Sequence, residues 1–269
     1  ATSIDMSPKY GENINGAEVS WEPIGNGADQ TFRGNFDGGG YEISGLYINN
    51  SSADDQGLFG NLGEGGMIQN LGVSGSVTVT AMVVGGVVGW NEQGTVSGCY
   101  MAGSVTGTVE AFATGGVVGV NWGTVSGCYN ASGVTGGPVA EADAVALVHR
   151  AMDVCGINFI DTANMYEGYN RTVGSAGGVA GSNWVTVPNC YYLEGVAADN
   201  GAGEMKTAAQ FASGEVAYLL QSGQTVGDDG VIPQVWGQTI GADPYPVLTG
   251  DAARSILKVS FMTTGETEG

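Results

Sequence analysis

GGVVGWNEQGTVSGCY, residues 85–100, returns as GGVVGVNWGTVSGCY at 115–129 and as GGVAGSNWVTVPNCYY at 177–192. The apolar residues fall in short runs, Gly-Val-Val-Gly and Thr-Val-Ser-Gly-Cys-Tyr, each bounded by Gly or Asn, which reads as short strands ended by tight turns. A looser copy, GLFGNLGEGGMIQNLGVSGSV, occupies 57–77, and FRGNFDGGGYEISGLYIN before it keeps the same alternation of apolar and small residues. The repeat thus fills most of residues 30–192. A unit of this size cannot cover its own apolar face, whereas stacked units set each strand beside its equivalent and bury one continuous column. The expected fold is all-β: a right-handed parallel β-helix or a closely related solenoid.

Composition agrees with that architecture. Among 269 residues there are 49 glycines and only 7 prolines, so the backbone must be rich in tight turns and close strand approaches. Seven basic residues against 27 acidic ones leave a formal charge of −20, which repels nucleic acid and anionic membrane surfaces. Neither partner is expected, and no apolar run approaches the roughly 20 residues of a membrane span. An acidic, Gly-, Ser-, Thr-, Asn- and Val-rich chain with few lysines fits an extracellular or cell-surface location, and because the opening ATSIDMSPKYGENINGAEVSW lacks a basic and apolar leader, any signal peptide is expected to have been removed.

Stacking assigns roles by position. Cys99, Cys128 and Cys190 are expected to point inward as one file of small residues and to remain free thiols, since a larger side chain would overpack there and a charge would be costly. Asn91, Asn121 and Asn183 are expected at turns, with their amides hydrogen-bonding along the stack. Gly86, Gly116 and Gly178 are expected to begin strands where the backbone turns sharply. The pattern GG(V/L)VG-x-N-x-GT(V/I)-x-x-CY resembles the GLUG motif of bacterial surface proteins, including adhesin-like proteins and regions of immunoglobulin A peptidases. That resemblance implies a surface scaffold and leaves the ligand open. A zinc-peptidase helix would need His-Glu-x-x-His, and the chain has one histidine.

One segment breaks the period. Gly85 to Gly115 spans 30 residues, whereas Gly115 to Gly177 spans 62. Within EADAVALVHRAMDVCGINFIDTANMYEGYNRTVG, Ala144, Val148, Ala151, Met152 and Cys155 share a helical face ended by Gly156, predicting a helix from about Glu141 to Cys155. Ile157 to Ile160 then read as a strand delivering Asp161 at its carboxyl end, as α/β barrels present reactive side chains. Gly156, Asp161, Thr162, Ala163 and Tyr166 resemble the G-I-N-x-x-D-T-A-x-x-Y phrase of the aldo-keto reductases. In that family the aspartate and tyrosine act with a lysine and a histidine while a nicotinamide delivers hydride. Here no histidine follows Tyr166 and repeat sequence resumes by Gly177, so Asp161 and Tyr166 lack partners. No catalytic residue and no cofactor is expected, and residues 139–172 read as an inserted, grafted or chimeric helical excursion from the solenoid.

Beyond the last copy, Phe211, Val216, Leu219 and Leu220 predict a helix over Thr207 to Leu220 that docks on the solenoid end, with Trp236 and Tyr245 to Leu248 finishing a mixed cap. The phrases FASGEVAYLL and WGQTIG-x-D-x-YPVL resemble tails that follow GLUG repeats in surface proteins of gut-type bacteria. The organisation expected is a solenoid over 1–192 interrupted at 139–172, a cap over 193–250, and a linker or the start of a further domain over 251–269.

Four candidate chemistries weigh against packing. Asp54-Asp55 and Asp228-Asp229-Gly230 carry oxygens that suit calcium, but neither has an EF-hand or β-roll spacing; they read as solvated turns, and no metal site is expected. Tyr100, Tyr129 and Tyr191 recur beside the cysteines as candidates for stacking a ligand, and Trp90, Trp122 and Trp184 gather about the asparagine turns as a candidate row of exposed rings. Covering of the solenoid's flank is the competing and favoured explanation for both rows. A polysaccharide-cleaving β-helix needs a basic residue near its acidic sugar, and only Lys9 and Arg33 precede the insert. The function expected is a non-catalytic surface scaffold or adhesin that meets host protein or glycan; an enzyme, polysaccharide-processing or reductase, is the alternative.

Overall fold

The computed structural model of the chain describes residues 2–26, 30–49, 54–80, 82–108, 111–136, 175–197, 202–224, 226 and 230–256. Parallel strands coil into a solenoid with three walls. Each coil begins in a first wall, a four-stranded sheet of Asp55–Gln56, Val83–Gly85, Ala113–Gly115 and Ser175–Gly177. It turns into a second wall of Phe59–Leu62, Val88–Asn91, Val118–Asn121 and Ala180–Asn183. It then enters a ten-stranded long wall that includes Asn35–Ile48, Met67–Val79, Tyr100–Gly107, Tyr129–Asn130, Tyr191–Leu193 and Glu204–Lys206. Equivalent residues pair directly: Gly85, Gly115 and Gly177 in the first wall, Asn91, Asn121 and Asn183 in the second, Tyr100, Tyr129 and Tyr191 in the long one.

Glycine permits the coil to close. A Cβ built on Gly119 would lie 2.8 Å from the Val84 carbonyl oxygen of the first wall, and one on Gly181 2.6 Å from the Thr114 nitrogen. The first and second walls therefore meet backbone to backbone with no room for a methyl group. Gly86, Gly116 and Gly178 do not begin strands as expected. They occupy the two-residue corner between these walls, where a Cβ would lie 2.5 Å from Met101 Cγ, 2.2 Å from Asn130 Cγ and 2.1 Å from Tyr192 Cγ respectively. Each corner glycine is the socket for a side chain crossing the core from the long wall.

The main core runs as a column between the long wall and these corners, with Ile68, Val73, Val96, Met101 and Val125 facing Leu58, Val87, Val117 and Val179. A second cluster, Val83, Trp90, Phe112, Ala113 and Val120, joins the first and second walls. Antiparallel strands Gly11–Ile14 and Ala17–Val19 form a hairpin near the amino terminus, while Ile4–Asp5 pair with Ile43–Ser44 at the long wall's edge. Residues 139–172, and with them the helix over Glu141 to Cys155 and the strand after it, lie outside the described residues, as do 257–269.

The C-terminal region differs from the expected cap in two ways. In place of one helix over Thr207 to Leu220 there are two, α1 (Ala208–Ala212) and α2 (Glu215–Ser222), because Gly214 between them is left-handed at φ +84°. Thr207 starts α1 with a reciprocal capping box, its hydroxyl accepting from Gln210 N at 3.2 Å and its N–H donating to Gln210 Oε1 at 2.9 Å. The pair docks on the solenoid's flank instead of its end: Phe211, Val216, Leu220 and Trp236 cluster with Tyr129 and Tyr191 of the long wall.

Gly119→Ala is expected to cost about 1–3 kcal/mol in denaturant unfolding, because backbone on both sides must move. Gly250→Ala, where a Cβ meets nothing within 4 Å, is expected to stay within about 0.5 kcal/mol of wild type.

Candidate functional site

The richest assembly of polar and aromatic side chains lies on the outer face of the long wall. Pairing places Glu42, Gly72, Tyr100, Tyr129, Tyr191 and Glu204 in one row across six strands. The Tyr100 and Tyr129 rings stack 5.1 Å apart at 12°. Tyr100 passes over Gly72, where a Cβ would sit 2.3 Å from its Cζ, and donates its hydroxyl to Glu42 Oε2 at 2.8 Å. Ser74 donates to the other oxygen of the same carboxylate. Tyr129 donates to the Pro246 carbonyl at 2.7 Å, with Trp236 and Phe211 against its ring at 5.5 and 5.9 Å. At the far end Lys206 Nζ lies 5.6 Å from the Tyr191 centroid and pairs with Glu204 at 2.8 Å and Glu215 at 3.8 Å.

This geometry corrects the ligand-stacking assignment of Tyr100, Tyr129 and Tyr191. Tyr129 is 2 % exposed and Tyr191 5 %, because an apolar strip on the outside of a sheet needs cover and the C-terminal region supplies it. Burial, then the Glu42 carboxylate, pushes the Tyr100 phenol well above its ordinary value; Tyr129 and Tyr191 move the same way, again chiefly by burial. The candidate row of exposed tryptophans is corrected too. Trp90 is fully buried and pairs with Val120, not with Trp122. The three rings form a staircase of edge-on contacts, 4.8 Å from Trp90 to Trp122 and 5.5 Å from Trp122 to Trp184, of which Trp184 is clearly exposed.

The asparagines end the second-wall strands. Asn91 Nδ2 donates to Asn121 Oδ1 and Asn121 Nδ2 to Asn183 Oδ1, both at 2.8 Å, while Asn91 Oδ1 accepts from Gly94 N at 2.9 Å. In the preceding coil Leu62 takes this position. Cys99, Cys128 and Cys190 are buried free thiols; Cys99 Sγ donates to Ser97 O and Cys128 Sγ to Ser126 O, both at 3.3 Å, and Cys99 N donates to Cys128 Sγ at 3.4 Å. Burial raises the Cys128 thiol well above its ordinary value, and the hydrogen bond with Cys128, then burial, does so for Cys190. Both therefore stay protonated and poorly nucleophilic.

Asp161, Tyr166 and His149 lie outside the described residues, as do Asp228 and Asp229. Asp54 is exposed, but Asp55 is 2 % exposed in a first-wall strand and so is no solvated turn. Among the described residues no group of three or more His, Cys, Asp or Glu side chains is placed to hold a metal ion, and no helix is long and apolar enough to cross a membrane. Trp236 and the Tyr245 to Leu248 run were expected in the cap but not against the tyrosines, and Glu42 and Lys206 were not singled out as members of this row. Glu42 alone had a signal, occupying the tyrosine position of the first coil once EISGLYIN is aligned on the later repeats.

Comparison with known proteins gives a limited match. The GLUG motif family matches residues 80–106. Halomucin of Haloquadratum walsbyi is 37% identical over 117 residues, 44% of this chain and 1% of halomucin. A protein of Evansella cellulosilytica described as a Gly-rich membrane protein is 42% identical over 74 residues, 26% of this chain and 8% of that protein. The chain thus spans only a small part of the curated relatives it matches. A solved structure described as an immunoglobulin A1 protease from Bacteroides ovatus aligns over 93% of this chain and 85% of its own, at 15% identity and a TM-score of 0.45.

Two outcomes follow from the tyrosine row. Tyr129→Phe leaves the buried Pro246 carbonyl without its donor, and a loss of about 1–3 kcal/mol is expected in denaturant unfolding. The raised phenol values also make folding favour the neutral rings: that stabilisation is complete below the ordinary tyrosine value of 10.0 and is lost as pH rises beyond it toward the folded values. Thermal midpoints should accordingly fall above that pH, and less steeply in Tyr100→Phe.

Proposed function

We propose that the chain is a non-catalytic scaffold or adhesin module of a cell surface, presenting a repetitive solenoid to host protein or glycan. The observation that carries this reading is what the in-register side chains do. Asparagine amides bond coil to coil, cysteine sulfurs bond to peptide groups inside the column, Tyr100 bonds to Glu42 of an earlier coil and Tyr129 to the C-terminal region. Side chains occupied in this way serve stacking, and stacking gives length and rigidity. The GLUG match over residues 80–106 and a relative described as a membrane protein support a surface location. The charge of −20 suits an acidic solvated surface and disfavours a polyanionic substrate. The reductase-like phrase around Asp161 and Tyr166 is read as carrying no activity in this chain, since no histidine follows Tyr166 and repeat sequence resumes by Gly177.

The test pairs binding with turnover. The intact chain and its Asp161→Ala and Tyr166→Phe variants would be titrated with NADPH by fluorescence, assayed for carbonyl reduction and for cleavage of a uronic-acid polymer, and applied to arrays of glycans and host proteins. Expected are no saturable cofactor binding, no turnover, and array binding shared by all three proteins. NADPH saturation with turnover lost in both variants would overturn the scaffold reading, as would cleavage of the polymer.

A further inference from the structure

In a plain stack each coil touches its neighbours alone, so either end can open without the other. The C-terminal region departs from that rule, because its contacts run along the long wall from its late strands to its early ones. At the late end the strand Glu204–Lys206 leads directly into Thr207, the cap of α1. Ala208 N donates to Glu194 Oε1 at 2.9 Å, Lys206 Nζ pairs with Glu215 of α2 at 3.8 Å, and a Cβ on Gly223 would lie 2.4 Å from Asn189 Nδ2. In the middle Trp236 stands 5.5 Å from the Tyr129 ring and 6.4 Å from that of Tyr100. At the early end Leu248 rests on Gly40 of the strand Asn35–Ile48, where a Cβ would lie 3.8 Å from Leu248 Cβ.

The early contact falls at a break in the wall. Pairing of Asn35–Ile48 with Met67–Val79 shifts between Asp37 and Tyr41, where Gly38, Gly39 and Gly40 bulge and Gly40 is left-handed at φ +79°. With no side chains on that bulge, Leu248 reaches the backbone itself. Leu248 is held from the other side by antiparallel pairing with Trp236. Trp236 and Phe211 are fully buried over Tyr129. The paired segments Trp236–Gly237 and Val247–Leu248 thus connect the buried cluster on the later coils to the first coil.

We infer that the C-terminal region is a clasp that fastens the first coil to the last, so that the two ends of the solenoid open together and not coil by coil. Lys206 and Thr207 are adjacent in the chain, so the last coil cannot leave without drawing α1 and α2 off Tyr129. The first coil cannot leave without uncovering Leu248 and the cluster it is paired to. Each end is therefore held by burial at the other. This holds whether or not the surface-scaffold reading does, because it concerns how the coils stay closed.

Native-state hydrogen exchange on the full chain tests it, with Ile48→Val as a probe of the first coil. Ile48 is fully buried in the main core and is not part of the cluster under the C-terminal region. Loss of one methylene group is expected to speed amide exchange in residues 41–48 about two- to tenfold, and in 191–193 by the same factor. When Leu248→Asp cuts the clasp at its early end, Ile48→Val is expected to speed exchange in 41–48 alone. An Ile48→Val effect confined to 41–48 in the otherwise wild-type chain would overturn the inference, and this comparison stands without the second variant. Equal acceleration at both ends with Leu248→Asp in place would overturn it too, since the coupling would then not run through the clasp. A failed array or cofactor result in the preceding section would leave these outcomes unchanged, so the two readings fail separately.

Discussion

The solenoid depends on a distance shorter than a methyl group allows. Where the first and second walls face each other, Gly89, Gly119 and Gly181 lie against peptide groups of the adjoining coil, and a Cβ on any of them would come within 2.8 Å of backbone atoms. Because these two walls are so close, the long wall can send Met101, Asn130 and Tyr192 across the column to corner glycines. A wider gap would leave those side chains short of contact and the column unfilled. The abundance of glycine is thus a packing requirement before it is a matter of turns.

From that closeness comes a strict coil-to-coil register, and register turns a repeated sequence into files of identical side chains. In the interior the files are asparagine and cysteine, whose polar atoms find partners one coil away or on neighbouring peptide groups. Outside, the tyrosine file is an apolar strip that would be a liability on a sheet face. It is covered by Phe211, Trp236 and the helices α1 and α2, and the Tyr100 and Tyr129 hydroxyls are satisfied by Glu42 and Pro246. Inner and outer files solve the same problem, burying a polar atom only where a partner awaits it.

Periodicity made the fold legible, because residues spaced by one coil must be neighbours if the chain is to bury its valines. It could not tell which repeated residues face outward and are then covered. The fate of Tyr129 is decided by Pro246, and nothing in the repeat anticipates a partner so far along the chain. Trp90 and Trp122 look equivalent in the sequence, yet they stand at different positions in the strand, Trp90 opposite Val120. The break between α1 and α2 was signalled by Gly214 but overlooked, since the apolar spacing on either side satisfied a single helix.

The asparagine file has a sense of direction. Every amide donates toward the later coil, Asn91 to Asn121 and Asn121 to Asn183, and the file closes on itself at both ends: Asn91 accepts from Gly94 while Asn183 donates to the Val185 carbonyl. Such a file is vectorial, like a zipper whose teeth all lean one way. A coil spliced in upside down would set donor against donor, so any longer array made from these units inherits one polarity and has two chemically distinct tips.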